Sequence, residues 1–334
     1  MPLHTRFTQA FGLTTPIALA PMALASGGAL SAACAQAGAL GLLGGGYGEL
    51  EWTLREHQLA TQLLSAQPEA LARLGCGFIT WRLDQDASAL DAMLAQAHKP
   101  AAMMLSFGDP RPYAARLQAA GVPLMCQVQN LAQIPWAIEA GAAVLVVQGM
   151  EAGGHGMNAL QGRGTFALVP EAADWLTAHA PHTLLLAAGG VADGRGLAAA
   201  LALGADGALI GSRLWACRES LASEAAKQQA VVTDGDGTAR SAVFDILRQK
   251  NWPEPYDFRA IRNGLHRQWE NRIDALRADP DAARADYQAG VTAGDFDRAH
   301  ATVGEATGLI HDLPSAPDLI ARISLQAQQI RAAL

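Results

Sequence analysis

Short apolar runs alternate with longer amphipathic stretches along the chain as far as Arg218. The eight runs occupy residues 16–23, 40–45, 76–81, 101–108, 123–129, 142–149, 183–190 and 207–214. Most of them are apolar at nearly every position, as strands covered on both faces are, and this favours parallel pairing inside a shell of helices. Several of the intervening helical stretches end in glycine just before the next run, where a helix is expected to stop.

Eight strand–helix units before Arg218 match an α/β protein with a (β/α)8 barrel, the TIM-barrel architecture, in number and length. An open doubly wound sheet, which more often has about five to seven strands, is the alternative fold. No G-x-G-x-x-G motif opens a helix after a strand, so a Rossmann nucleotide site is not predicted. We therefore expect a barrel over residues 1–217.

The strand–helix rhythm stops near Arg218. Residues 218–311 contain helical patterns and a proline-bearing connector, NWPEPYDFR (251–259), and are predicted to form a smaller helical subdomain over the barrel mouth. Pro314 and Pro317 precede a last amphipathic helix, so residues 312–334 are predicted to pack back on the barrel.

Composition narrows the possible partners. The chain of 334 residues is half apolar, has a formal charge of −7, and contains no basic run, which argues against nucleic acid or an anionic membrane as a partner. Four cysteines lie far apart without a C-x-x-C pair, so neither a disulfide framework nor a structural zinc site is predicted, and a cytoplasmic location is expected. Prolines interrupt the N-terminal apolar stretch, which is interpreted as a first strand and not as a signal peptide.

The chemistry of a barrel lies at the carboxyl ends of its strands, and two of the predicted strands end in glycine. The seventh ends at Gly189 and Gly190, and the eighth at Gly211 and Ser212, which leaves backbone N–H groups open to an anion. The loops after these two strands are the usual phosphate site of the fold. The alternative is that they are only tight turns.

Two other strand ends carry amides, and one loop carries a histidine. The fifth and sixth runs end in Gln127 and Gln148, which suit the rim of a heterocycle or, alternatively, bond only to loop backbone. His155 follows in VVQGMEAGGHGMN (146–158), within a connection from Gly149 to Val169 that is long for this fold. An imidazole titrates near neutral pH, as a general base for a carbon acid must. The other eight histidines are predicted to be solvated or packed: His4, His57, His98, His179, His182, His266, His300 and His311.

The absence of particular residues at the strand ends excludes other reactions that barrel enzymes catalyse. No lysine stands at a strand end, so a Schiff-base aldolase is excluded. Acidic residues follow four different strands without ligand spacing, so no metal site is predicted. The remaining features fit a flat, phosphorylated organic cofactor that brings its own reactivity.

Three stretches carry a resemblance to a known family: APMALASGGALSAACAQAGALGLLGGG (20–46), VQGMEAGGHG (147–156) and LAAGGVADGRGLAAALALGADGALIGSRL (186–214). They resemble the nitronate monooxygenases, formerly called 2-nitropropane dioxygenases, which are FMN-dependent barrel enzymes. The similarity continues into VFDILRQKNWPEPYDFRAIRNGLHRQW (243–269), a segment typical of one branch.

The resemblance implies a set of site residues. FMN would lie across the barrel mouth, where His155 would face it as base or substrate anchor. The residues implied for the cofactor are Ala20, Pro21 and Met22 along the flavin, Thr80 at its edge, Gln127 and Gln148 at the ring or ribityl chain, Gly153 and Gly154 in the loop whose backbone comes close to FMN, and Gly189, Gly190, Gly211 and Ser212 at the phosphate.

The resemblance also implies an activity. Family members oxidise a nitronate with O2 to a carbonyl compound and nitrite, and some first abstract the α-proton of a nitroalkane. Two alternatives stay open at this point: an FMN-dependent NAD(P)H:quinone or enoyl reductase of the same superfamily, and a non-catalytic FMN or phosphate-ligand module. Some relatives have Arg-Gly after the histidine where this chain has Gly156, Met157 and Asn158, so these residues are predicted to lie near the substrate. Tyr47 either faces the flavin or caps the barrel.

Overall fold

Eleven strands occur in the computed structural model, which describes residues 3–333. In chain order they are β1 (Ile17–Leu19), β2 (Gly41–Gly46), β3 (Leu74–Ile79), β4 (Met103–Ser106), β5 (Leu124–Val128), β6 (Val144–Gln148), β7 (Gly154–Met157), β8 (Leu184–Ala188), β9 (Gly207–Ile210), β10 (Thr238–Ser241) and β11 (Tyr256–Ile261). Eight of them pair in parallel in the order β1-β9-β8-β6-β5-β4-β3-β2. A parallel bridge from Ala18 to Leu40 joins the two ends, so the sheet closes into the predicted (β/α)8 barrel.

Helices cover the outside of the barrel and build the subdomain. In chain order they are α1 (Arg6–Phe11), α2 (Gly28–Gln36), α3 (Leu50–Leu63), α4 (Pro68–Leu71), α5 (Thr80–Leu83), α6 (Ser88–Leu94), α7 (Arg111–Ala120), α8 (Ile134–Glu139), α9 (Thr165–His179), α10 (Gly194–Ala202), α11 (Ser212–Trp215), α12 (Glu224–Val232), α13 (Val243–Leu247), α14 (Gly264–Trp269), α15 (Ile273–Ala278), α16 (Asp281–Ala293) and α17 (Ala316–Ala333). Within residues 3–333, none of them combines the length and the apolar character needed to cross a membrane.

The alternation of strand residues explains why the runs are apolar throughout. Met104 and Val146 belong to the cluster inside the barrel, whereas their neighbours Leu105 and Leu145 belong to the cluster between the strands and the helices. Both sets are almost fully buried, because parallel strands in a barrel have no solvent-facing side.

A second, antiparallel sheet joins the barrel to the subdomain. It has the order β10-β11-β7, and Phe258 of β11 pairs with His155 of β7. The prediction of a connector over residues 251–259 is therefore wrong in part. Residues 256–259 are the start of β11, because Tyr256, Phe258 and Ala260 follow a strand alternation that the prolines obscured.

The prediction of a loop from Gly149 to Val169 is also wrong in part, because this segment contains β7 and the first turn of α9. The glycines of β7 have no side chains to show a strand pattern in the sequence. Helix α9 begins at Thr165, before Pro170, because the carboxylate of Glu151 accepts hydrogen bonds from the Thr165 backbone N–H at 2.9 Å and from its Oγ1 at 2.9 Å.

The C-terminal part has a core of its own. Phe244, Phe258 and Tyr287 are buried together between the second sheet and the helices α13 to α16. Helix α17 buries Leu319 and Ile323 against the barrel helices α2 and α10. The predicted boundaries at residues 217 and 311 stay predictions, since the second sheet contains strands from both sides of the first.

Candidate functional site

One cavity of about 970 Å³ lies at the carboxyl ends of the barrel strands, between the barrel and the subdomain. It brings together nearly every residue that the sequence singled out. Its lining includes Ala20, Pro21, Met22, Gln127, Gln148, Gly153, Gly154, His155, Gly189, Gly190, Gly211 and Ser212. Their roles toward a cofactor stay predictions.

The ends of β8 and β9 form a cradle of free backbone N–H groups. Gly189 and Gly190 have φ values of +95° and +75°, a conformation that side-chain-bearing residues rarely adopt. Among the described residues, no acceptor bonds the backbone N–H groups of Gly190, Val191 or Gly211. A Cβ added at Gly211 would touch only Ala20 at 3.7 Å and Met22 at 3.8 Å, so the space in front of it is open. These features fit a phosphate group.

The two amides have different surroundings. Gln148 donates its Nε2–H to the backbone oxygen of His155 at 2.7 Å, so part of its bonding goes to the loop, and its Oε1 remains for a ligand. The side chain of Gln127 makes no hydrogen bond to a described residue and lines the cavity. The amide of Gln127 and the Oε1 of Gln148, both at the cavity wall, match the rim of a heterocycle.

Thr80 does not join the other predicted residues. It is fully buried at the start of α5, behind the cavity wall, and its Oγ1 has no partner within residues 3–333. The cavity lining on that side is formed by Phe78 and Ile79 of β3. The same described range contains no cluster of acidic, histidine or cysteine side chains suited to a metal ion.

His155 is paired with a carboxylate that the sequence analysis did not single out. Its Nε2 lies 2.9 Å and 3.0 Å from the two carboxylate oxygens of Asp245 in α13. Both side chains are buried, with 8% and 6% of their surface exposed. Burial, reinforced by Arg248 and Arg240, lowers the pKa of His155 well below its ordinary value, and burial raises the pKa of Asp245 to about 7. The imidazole is therefore neutral, and its Nδ1 has no partner among the described residues.

Aromatic rings surround this pair. Trp252 stacks on His155 with the centroids 3.4 Å apart, and Phe258 lies 4.8 Å away on another side. Phe107, which has a left-handed backbone with φ of +63°, packs edge-on against both His155 and Trp252. Tyr47 lines the cavity and accepts a hydrogen bond from Trp252 at 2.9 Å, so it faces the site instead of capping the barrel elsewhere.

Cations lie close to the aromatic rings. The guanidinium of Arg248 is 4.6 Å from the centre of the Phe258 ring and 4.0 Å from Asp245. The ammonium of Lys250 is 4.2 Å from the centre of the Tyr47 ring. Both residues line the cavity, so this end of it is electropositive although the chain as a whole is acidic.

Arg240 holds the glycine segment in place. Its guanidinium donates hydrogen bonds to the backbone oxygens of Met150, Ala152, Gly154 and Asp257, at distances from 2.6 to 3.3 Å. These hydrogen bonds therefore fix the glycine segment. Its glycines allow close packing and do not make the segment mobile.

His300, one of the histidines predicted to be solvated or packed, is packed against Phe258 and Tyr287 and also lines the cavity. The Nδ1 of His300 lies 2.7 Å from the hydroxyl of Tyr287, and both residues face the cavity. Burial lowers the pKa of His300 to about 3. Gly156, Met157 and Asn158, predicted to lie near the substrate, are not in the lining, because β7 turns them toward β11 and the subdomain.

The structure combines a (β/α)8 barrel, a cradle of free backbone N–H groups and a buried His155–Asp245 pair in one cavity. Residues 78–326 match the family model described as nitronate monooxygenase, and the chain belongs to this family of flavin-dependent oxidoreductases. It is 34% identical to nitronate monooxygenase npaC of Metarhizium robertsii, over 93% of this chain and 90% of that protein.

Solved structures agree with the fold. FabK from Thermotoga maritima has a TM-score of 0.80 and 24% identity, over 99% of each chain. Nitroalkane oxidase from Streptomyces ansochromogenes has a TM-score of 0.77 and 23% identity, over 98% of this chain and 99% of that chain. At these identities the likeness supports the barrel and its subdomain, not a substrate.

Proposed function

We propose that this chain is an FMN-dependent nitronate monooxygenase, which converts an alkyl nitronate and O2 into a carbonyl compound and nitrite. The observation that carries the proposal is that a phosphate-sized cradle of free N–H groups and the His155–Asp245 pair line the same cavity. The family match supports the reaction class, and the cavity supports the cofactor.

The residues that would hold FMN follow from the fit of the cavity. Gly190, Gly211 and Ser212 would bind its phosphate, and Gln127 and Gln148 would bond the ring system or the ribityl chain. Bound there, FMN would supply the electron acceptor and the route to O2. The aromatic residues around His155 keep bulk water from the substrate side, which strengthens each electrostatic contact there.

A nitronate is an anion, and the substrate side suits one. Arg248 and Lys250 make this end of the cavity electropositive, and His155 offers a ring nitrogen for a bond to a nitronate oxygen. The positive charge attracts the anion, while the stacked ring of Trp252 covers one face of the His155 imidazole.

The first experiment is the visible spectrum of the purified protein and of protein reconstituted with FMN. We expect a flavin spectrum, and a colourless protein that FMN cannot reconstitute would contradict the proposal. The second is anaerobic mixing, in which a nitronate is expected to reduce the bound flavin. Prompt bleaching by NAD(P)H without reduction by nitronate would establish the reductase alternative, and no reduction by either would establish the binding module.

Substitution of the histidine tests the site itself. His155→Ala is expected to lower turnover of nitronate or nitroalkane by about 10²-fold or more while FMN still binds, because the ring nitrogen is lost and the cradle is untouched. His179→Ala, on the barrel surface, is the matched control and should behave as the unchanged protein. A cytoplasmic location, and independence of nucleic acid and membrane, stay predictions from composition.

A further inference from the structure

We propose that Arg248 binds the two oxygens of the nitronate group, and that the site therefore takes planar oxyanions of this shape as a class, carboxylates included. The inference rests on the proposed function and names the residue that recognises the reacting group. It starts from a charged side chain in the cavity whose hydrogen-bond donors are not used by the rest of the protein.

The guanidinium of Arg248 has donors without acceptors. It lines the cavity, only 18% of the side chain is exposed, and its Nη1 is buried without a hydrogen-bond partner in residues 3–333. The carboxylate of Asp245 is 4.0 Å away, beyond hydrogen-bond reach, and is bonded to His155 instead. Because buried donors are almost always paired, we expect this guanidinium to bind a group that enters the cavity.

Two neighbouring arginines, on β10 and β11, are engaged by the protein itself. Arg240 donates hydrogen bonds to four backbone oxygens. Arg259 donates to the hydroxyl of Thr238 at 3.0 Å, and its Nη2 lies 2.9 Å from the carboxylate of Glu305. These two guanidinium groups hold segments of the chain together, whereas that of Arg248 remains free for a ligand.

Arg248 is held next to the ionisable group of the site. Its backbone N–H donates to the oxygen of Phe244 at 2.9 Å, and its guanidinium lies over the ring of Phe258, 4.6 Å from the centre. The imidazole of His155 lies 4.8 Å from the centre of the same ring. Oδ1 of Asp245 is 2.9 Å from Nε2 of the imidazole and 4.0 Å from Nη1 of the guanidinium. A ligand that reaches the imidazole is therefore also beside the guanidinium.

The guanidinium matches a nitronate in shape and in charge. A nitronate carries its negative charge on the two oxygens of a planar group, as a carboxylate does. A guanidinium presents N–H groups in one plane and binds such a pair of oxygens through two parallel hydrogen bonds. The ammonium of Lys250, 4.2 Å from the centre of the Tyr47 ring, adds a point charge without this fork. Arg248 therefore distinguishes the anion from neutral molecules of the same shape.

The experiment measures the binding of propionate, which has the size and shape of ethyl nitronate but no C–N bond to cleave. FMN-loaded protein is titrated by calorimetry. We expect propionate to bind at least about tenfold more tightly than propionamide, its neutral counterpart. Arg248→Lys should raise the Kd for propionate about tenfold or more, because the ammonium keeps the charge and loses the fork. Equal affinities for propionate and propionamide in the wild type would overturn the inference without any variant.

Two further variants separate the fork from the charge. Lys250→Met removes a charge from the same cavity and should raise the Kd less than Arg248→Lys does. Arg284→Lys removes a guanidinium that donates to the backbone oxygen of Ile246 in α13, outside the cavity lining, and should leave the Kd unchanged. If Arg248→Lys binds propionate as the wild type does, or if Lys250→Met loses as much affinity, the charge acts without a fork and the inference is overturned.

Chemical rescue separates ligand binding from a structural role. Arg248→Ala is titrated with propionate in the presence of guanidinium ion, at concentrations far below those that unfold the protein. We expect the added ion to restore part of the lost affinity in Arg248→Ala and none in Lys250→Ala, because only the first variant leaves a space of the matching shape. A folded Arg248→Ala that guanidinium does not rescue would count against the inference, and the wild-type comparison decides the matter if this variant does not fold.

Kinetics with ethyl nitronate distinguish this inference from the proposed function. In Arg248→Lys we expect KM to rise about tenfold with a smaller change in kcat, because the oxygens are bound before as well as during the reaction. Protein that binds propionate through Arg248 but does not oxidise a nitronate would contradict the proposed function and leave the inference standing. Normal oxidation with an unchanged KM in Arg248→Lys would do the opposite.

Discussion

Trp252 lies flat on the imidazole of His155, with ring centroids 3.4 Å apart and planes inclined by 12°. Its indole N–H donates to the hydroxyl of Tyr47 at 2.9 Å, so the ring is held by the β2 side of the barrel as well as by its own segment. The stack fixes the plane of the imidazole and excludes water from one of its faces. It follows that the direction of the Nδ1 lone pair depends on a residue that makes no bond to it.

Trp252→Ala is expected to lower kcat/KM by up to about tenfold, because an aromatic stack contributes about 0.5–1.5 kcal/mol and about 1.4 kcal/mol corresponds to a tenfold change in rate. Trp252→Phe keeps the stack and should lose much less. Steady-state kinetics check both variants. Trp175, stacked on His179 at 4.4 Å on the barrel surface, is the control: Trp175→Ala should leave kcat/KM unchanged. Wild-type kinetics in Trp252→Ala would show that the stack does not position the imidazole.

Gly211→Ala separates cofactor binding from folding. The added Cβ has room in the protein, since its nearest contacts are 3.7 Å and 3.8 Å away, but it projects into the cradle. We expect the Kd for FMN to rise about tenfold, or about 1.4 kcal/mol, while the FMN-free protein unfolds at the same urea concentration. Gly190→Ala should lower both the affinity for FMN and the urea concentration of unfolding, because its φ of +75° strains any residue with a side chain. Unchanged FMN affinity in Gly211→Ala would show that the phosphate does not bind at this cradle.

His300 makes the fold sensitive to acid. Burial lowers its pKa to about 3, whereas an unfolded histidine has a pKa of about 6.5. Between these values the unfolded chain binds a proton that the folded chain does not, so the free energy of unfolding decreases as pH falls, by up to about 1.4 kcal/mol per pH unit.

His300→Phe should therefore lose less stability between pH 7 and pH 4.5 than wild type, as measured by urea unfolding at both values. Tyr287→Phe removes only the hydroxyl at 2.7 Å and keeps the imidazole, so it should retain most of the wild-type acid sensitivity. Equal slopes for wild type and His300→Phe would mean that the imidazole is protonated in the folded protein.

Arg240→Lys tests whether the hydrogen bonds of Arg240 fix the glycine segment. An ammonium cannot reach the four backbone oxygens that the planar guanidinium bonds, so we expect a loss of about 2 kcal/mol or more in the free energy of unfolding. FMN affinity should fall with it, since Gly153 and Gly154 line the cavity. Arg116→Lys, at an exposed ion pair with Asp91, should change stability by less than about 0.5 kcal/mol. Comparable losses in the two variants would assign Arg240 no special role.

The barrel and the position of the glycine cradle could be predicted because their signals are local. Each strand is a continuous apolar run, and Gly189, Gly190 and Gly211 stand directly at strand ends, where the fold places its ligands. His155 was found for the same reason, as the ionisable group after the sixth strand.

The substrate side could not be predicted, because its signals are distant in sequence. Asp245 and Trp252 contact His155, and His300 lines the same cavity, because β7 pairs with β11. The sequence of β7 is GHGM, and its two glycines leave no apolar–polar alternation from which a strand could be predicted. The one signal that could have been used is the density of aromatic and charged residues in 243–269. The pattern of this segment predicts a helix and a connector, and it does not indicate that the segment lines the site.

The pairing of β7 with β11 places His155 structurally with the subdomain, although it follows a barrel strand in the chain. Gly190 and Gly211 of the cradle stand just after the barrel strands β8 and β9. Under the proposed function the two sides can therefore diverge separately: substitutions around His155 in residues 243–300 would change the substrate, while the cradle at Gly190 and Gly211 would be unchanged.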